Sequence, residues 1–185
     1  LVRMINTSVD INDRPTAFRY PRGTGIGVEL PSIDEKLQIG KGKIILEGKK
    51  LAILNFGARL QECLKASRNL DTKGISTTVV DARFAKPLDQ KLIMDLCFNH
   101  EVLITIEEGS IGGFGSHVFQ MLSERGIFDK GLKIRSMTLP DQFIDQDTPE
   151  NMYKVAGLDA NSIEQKAIDA LKSNVVIPKI KNLVK

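Results

Sequence analysis

The chain has no tryptophan, two tyrosines, two cysteines and two histidines, and each shortage closes a route to function. So few aromatic side chains make no stacking platform for bases. Cys63 and Cys97 fall on the apolar stripes of predicted helices, far in sequence from any second Cys or His that would complete a metal site. They read as buried, reduced thiols, with a disulfide between them the sharper alternative. No apolar run approaches the ~20 residues of a membrane helix, and no signal peptide opens the chain. The formal net charge is +3, with Lys and Arg scattered until the last few residues. That is too little to argue for nucleic acid. Internal repeats and low-complexity segments are absent.

What remains is an ordinary globular composition, 42% hydrophobic and 26% charged over 185 residues, enough for one good core or one core plus part of another. Leu1 to Ile11 reads as the end of a helix, with neither an initiating Met nor an N-cap, so the expectation is a fragment of a larger protein. Arg14-Pro15 breaks it, and Thr16 to Tyr20 reads as a short strand leading into a run of glycines. From Gly23 to Ile39 glycines, prolines and charges show no period, as in a crossing between domains. Regular α/β alternation follows. Lys43 to Glu47 and Leu51 to Phe56 are strands around a Gly48-Lys49-Lys50 turn, which suggests an antiparallel hairpin. Helical spacing resumes at Leu60, Cys63, Leu64, Ser67 and Leu70 and stops near Gly74. Thr77 to Asp81 is the third strand, and Pro87 opens a helix carrying Leu88, Leu92, Ile93, Leu96 and Cys97. His100 ends that helix, where a cation suits the dipole.

Val102 to Ile106 is a β-branched run suited to a strand buried on both faces. It ends at Glu107 and Glu108. Gly109, Gly112, Gly113 and Gly115 make a loop, and Val118, Met121 and Leu122 resume with helical spacing. Ile134 to Leu139 is a fifth strand stopped by Pro140, and two short helices close the fold, the second carrying Ile163, Ala167, Ile168 and Leu171 on one side. The expected architecture is α/β in three layers: a mostly parallel five-stranded sheet with one antiparallel strand, preceded by the last helix and strand of a second α/β domain. The expected boundaries are residues 1–27 for that preceding domain, 28–40 for the linker, 41–172 for the main domain and 173–185 for a loosely attached tail.

Three stretches invite chemistry. The glycine loop after Glu107 suggests phosphate at a helix N-terminus, but G-x-G-x-x-G begun at Gly113 and Gly115 finds Val118 in its third place, after a late strand rather than the first. A tight turn, or an interface, is favoured. Glu107 and Glu108 are adjacent in a strand and point to opposite faces, so they do not form a catalytic pair on one substrate; one is suited to capping the helix or binding a partner group. His117 has Ser110 and Ser116 nearby, yet no G-x-S-x-G elbow exists. The more informative stretch is Arg19-Tyr20-Pro21-Arg22-Gly23, where a guanidinium at a strand end suits either a phosphorylated metabolite or an interdomain salt bridge.

Four stretches in unbroken order carry a resemblance: Phe18 to Gly23 (FRYPRG) with Gly25 and Gly27, Asp81 to Asp89 (DARFAKPLD), Thr105 to His117 (TIEEGSIGGFGSH) and Leu139 to Asp145 (LPDQFID). Together they resemble the 1-deoxy-D-xylulose-5-phosphate synthase family, transketolase-like enzymes that depend on thiamine diphosphate and magnesium. The broader relatives, transketolase and the β-subunits of 2-oxoacid dehydrogenase E1 components, share the strand, the two glutamates and the glycine loop.

The resemblance implies the carboxyl-terminal third of an enzyme that condenses pyruvate, with loss of carbon dioxide, with glyceraldehyde 3-phosphate, at the entry to isoprenoid, thiamine and pyridoxal synthesis. Arg22 falls on the family arginine that contacts the acceptor phosphate, with Arg19 secondary. Glu107, Glu108, Gly109, Gly112, Gly113, Gly115 and His117 receive no chemistry and are expected to form a structural turn or interface. Thiamine diphosphate and magnesium belong to segments that this chain lacks, so the chain alone is expected to bind neither and to be inactive. A homodimer is expected, without nucleic acid or membrane, in bacterial cytoplasm or a plastid-type organelle. Two other readings compete: an E1-type β-subunit relative, and a non-catalytic dimerisation module.

Overall fold

The computed structural model describes residues 1–21, 23, 25, 27–32 and 34–173. Its centre is β2 (Leu51–Phe56), an apolar run whose first five residues are buried, as a strand covered on both faces requires. Parallel to it on one side lies β3 (Thr77–Asp81) and on the other β4 (Val102–Glu107), which in turn pairs in parallel with β5 (Lys133–Met137). The edge strand β1 (Lys43–Leu46) runs antiparallel to β3, so the five-stranded order is β1-β3-β2-β4-β5.

Side-chain alternation along the strands sorts the core into two layers. Leu51, Ile53, Val79, Ile104 and Ile106 face Cys63, Ala66 and Leu70 of α2 (Leu60–Asp71) and Ile163, Ala167 and Ala170 of α6 (Ala160–Lys172). Ala52, Leu54, Val80 and Leu103 face Ile93, Leu96 and Cys97 of α3 (Gln90–Asn99) and Val118, Met121 and Leu122 of α4 (Phe114–Glu124). The three-layer α/β reading holds, including the single antiparallel strand. Helix starts are held by side chains: Asp89 accepts from the Leu92 amide, Thr148 caps α5 (Pro149–Val155) and Asp159 caps α6. Glu62 of α2 also accepts from the Ala160 amide at 3.0 Å, which ties the two helices of one layer together.

Three expectations need correction. The antiparallel strand is β1, but its partner is β3 rather than β2. Both edges of β2 are taken by parallel neighbours, and the Gly48-Lys49-Lys50 connection crosses the start of β3 instead of folding back. There the Gly48 amide donates to Thr78 Oγ1 at 2.9 Å and the Lys50 amide to the Ser76 carbonyl at 2.9 Å. A side chain at Gly48 would stand 2.5 Å from the Thr77 nitrogen and 2.7 Å from its carbonyl oxygen, so only glycine passes. Thr16 to Tyr20 is not a strand: these residues are exposed, and among the described residues no ladder partner lies beside them. The helix expected to open at Pro87 begins at Gln90, because Asp89 supplies the cap.

Before the sheet, α1 (Val2–Val9) packs against the stretch around Glu35. Arg3 pairs with Glu35 at 2.8 Å, and Thr7 Oγ1 accepts from the Leu37 amide at 2.8 Å. His100 follows α3, its Nδ1 bonded to the Leu96 carbonyl at 2.9 Å and its Nε2 to Thr78 Oγ1 at 2.7 Å. Apart from Ser173, the expected tail lies outside the described residues, and among those described no helix is long and apolar enough to cross a membrane.

Both thiols are free and buried. Burial pushes Cys63 up to about 12 and Cys97 up to about 11. Native protein at pH 8 should therefore react with iodoacetamide at least about 100-fold more slowly than a free thiol, and at the ordinary rate once unfolded in urea. Gly48→Ala should lower the urea-unfolding free energy by about 1–3 kcal/mol, through overpacking against the β3 backbone.

Candidate functional site at the carboxyl edge of the sheet

Because β2, β3, β4 and β5 are parallel, their carboxyl ends share one edge. Three of the four quoted stretches leave the sheet there: Asp81 to Asp89 at the end of β3, Thr105 to His117 across the end of β4, and Leu139 to Asp145 just past β5. The fourth reaches the same edge from the amino-terminal segment, where Arg19 Nη2 donates to the Glu108 carbonyl at 3.3 Å. The Leu139 amide donates to the Gly109 carbonyl at 2.9 Å, which joins the turn after β4 to the chain leaving β5.

The turn is built around Glu107. The residue is 3% exposed, and its carboxylate accepts from the Phe114 amide at 2.9 Å and the Gly115 amide at 2.8 Å, filling the N-terminus of α4. Both bonds are charge-assisted, and the helix dipole favours the anion. The glycines make room for it: side chains at Gly109 and Gly113 would come within 2.6 Å of Glu107 Oε2 and 2.9 Å of Glu107 Cδ, and one at Gly115 would stand 2.9 Å from Thr105 Oγ1. Gly112 sits at φ +102°, a conformation that side chains disfavour. Ser116 Oγ accepts from the Gly112 amide at 3.0 Å, so it belongs to the turn, and His117 lies half-buried in the first turn of α4.

Glu108 points to the other side, where its carboxylate meets Arg59 Nε at 2.5 Å, with both side chains 16% exposed. The Arg59 guanidinium also lies 3.6 Å from the centre of the Tyr153 ring. Burial, followed by the neighbouring Glu108 carboxylate, pushes the Tyr153 hydroxyl up. Arg59 and Tyr153 were not singled out from sequence. Neither lies in a motif, so no signal in the sequence marked them. At the end of β3, Arg83 holds φ +60° and faces Asp81 at 3.5 Å, while burial pushes the Asp81 carboxyl up against the opposing pull of Arg83. Thr105 Oγ1 is buried with no hydrogen-bond partner among the described residues. Arg22 lies outside the described residues.

The geometry argues against a diphosphate at the glycine turn. The helix amides that would receive it already hold a carboxylate, and a second anion would meet that charge at close range. Among the described residues no group of three or more His, Cys, Asp or Glu side chains could hold a metal ion. The glycine turn is therefore built to hold the Glu107 carboxylate, and its free amides are not laid out for a diphosphate.

A three-layer α/β domain with an antiparallel edge strand and a carboxylate-filled glycine turn is the class that the coordinates define. The chain belongs to the transketolase C-terminal domain family, whose description matches residues 40–163. Among solved structures it is similar to a split gene transketolase in the form of an inactive β4 tetramer, with 30% sequence identity and a TM-score of 0.68 over 78% of this chain. The chain spans 46% of that protein's length.

Glu107→Ala leaves two buried helix amides without an acceptor and should cost about 2–4 kcal/mol of unfolding free energy in urea. Glu107→Gln, which keeps one acceptor oxygen, should cost about half as much.

Proposed function

We propose that the chain is the carboxyl-terminal part of a 1-deoxy-D-xylulose-5-phosphate synthase, a thiamine diphosphate-dependent transferase that joins pyruvate, with loss of carbon dioxide, to glyceraldehyde 3-phosphate. Residues 1–27 would then close the pyrimidine-binding domain, 28–40 link it onward, and 41–172 form the third domain of a homodimeric enzyme. Thiamine diphosphate, held with magnesium by segments outside this chain, supplies the carbanion chemistry when bound. The residues of this chain contribute binding and position.

The observation that carries the reading is the meeting of Arg19 with Glu108 across 89 residues of sequence. It sets Arg19, part of a stretch that resembles the acceptor-phosphate segment of these synthases, beside the glycine turn of the transketolase-type domain. A guanidinium at Arg22 is suited to the phosphate of glyceraldehyde 3-phosphate through two parallel charge-assisted bonds.

Steady-state kinetics of the full-length enzyme test this. The native enzyme should form deoxyxylulose 5-phosphate, and Arg22→Ala should lower kcat/KM for glyceraldehyde 3-phosphate by more than about tenfold, or about 1.4 kcal/mol. Synthesis that survives Arg22→Ala unchanged removes Arg22 from the phosphate site but keeps the reaction. A folded, cofactor-loaded enzyme with no synthesis points instead to a dehydrogenase-type relative.

A further inference from the structure

The amino-terminal segment is bonded mainly to itself. In α1, Arg3 pairs with Glu35 at 2.8 Å, Asn6 Nδ2 donates to the Glu35 carbonyl at 3.1 Å, Asp10 pairs with Lys36, and Thr7 Oγ1 accepts from the Leu37 amide at 2.8 Å. Ser8 Oγ lies 2.5 Å from Thr16 Oγ1, which ties the chain after α1 back to the helix. Thr7 is 7% exposed, so the clasp at Leu37 is shielded from water, with the more exposed ion pairs around it. These contacts make α1, the chain as far as Thr16 and residues 35–37 one unit.

The sheet domain takes hold of the chain a few residues later. Gly40 is buried at φ +70°, where a side chain would stand 2.8 Å from Pro87 Cγ, and the Gly42 amide donates to Asp89 Oδ2 at 3.2 Å. Between the two bodies lie Gln38 and Ile39, both exposed, and the bond from the Lys41 amide to the Gln38 carbonyl at 3.2 Å is local to that turn. Among the described residues, a single hydrogen bond joins residues 1–21 to the sheet domain, from Arg19 Nη2 to the Glu108 carbonyl at 3.3 Å, and Arg19 is exposed.

We propose that this is a hinge with a latch: the amino-terminal unit swings as one body about Gln38 and Ile39, and Arg19 on the Glu108 carbonyl holds it against the carboxyl edge of the sheet. A hinge needs a few unpacked residues between bodies that keep their own shape, which is the arrangement here. The latch is the weak tie, because an exposed hydrogen bond is readily exchanged for one to water, whereas the shielded bonds of Thr7 are not. The catch is the fixed part. Glu107 before it is bound to the amides of α4, the Gly109 carbonyl after it accepts from the Leu139 amide at 2.9 Å, and the Glu108 carboxylate is held by Arg59. The device uses no substrate and does not depend on the reaction proposed above.

Double electron–electron resonance on the full 185-residue chain tests this. Nitroxides on Val9→Cys and Gln120→Cys span the hinge, and those on Gln120→Cys and Gln165→Cys lie within the sheet domain; all three positions are exposed, and the buried native thiols stay unlabelled. With Arg19 present, the pair across the hinge should give one narrow distance. Arg19→Ala should add a second distance or widen the distribution about twofold, while the pair within the sheet domain keeps its width and hydrogen exchange at the Leu37 amide changes by less than about twofold. A distribution across the hinge that Arg19→Ala leaves unchanged overturns the latch. Widening within the sheet domain, or faster exchange at Leu37, overturns the hinge, because the variant then loosens a body instead of moving it.

Discussion

The carboxylate of Glu107 is the constraint on which the carboxyl edge depends. Burying it would be costly alone, but two amides at the start of α4 and the dipole of that helix take its charge. The consequences spread through the backbone. The turn must wrap a carboxylate, so it needs glycine at positions 109 and 113, and the chain can return into α4 only along the path that those residues allow. Glu108 is thereby turned to the opposite side and into the reach of Arg59.

That arrangement also separates the two glutamates by purpose. Glu107 is spent on structure, and it fills the helix N-terminus that a phosphate would otherwise use. Glu108 lies between the loops after β2 and β4, where it pairs with Arg59, whose guanidinium stacks on the Tyr153 ring. The Glu108 backbone carbonyl in turn accepts from Arg19. The chain spans about half the length of the split-gene transketolase chain to which it is similar.

Much of the fold was legible in the sequence. The apolar runs at Leu51 and Val102 announced strands, and the spacing of Cys63 with Leu70 and of Ile163 with Ala167 marked two helices, which the structure places in one layer. The glycines after Glu107 read as a turn. What failed were statements about partners. The Gly48-Lys49-Lys50 stretch looks like a hairpin because local sequence carries no record that β3, made later in the chain, inserts between β1 and β2. Thr16 to Tyr20 has the composition of a strand, but a strand exists only beside another.

The sequence by itself determined the strands and helices of the sheet domain and which faces they bury, because periodicity and turn chemistry are local properties of the chain. Only the tertiary structure decided that β1 lies against β3, that Arg59 and Tyr153 join Glu108, and that Arg19 reaches across the chain to the same residue. Alternation specifies a face and not a neighbour. The neighbours are chosen by the one packing that satisfies both edges of β2 and the buried charge of Glu107 together.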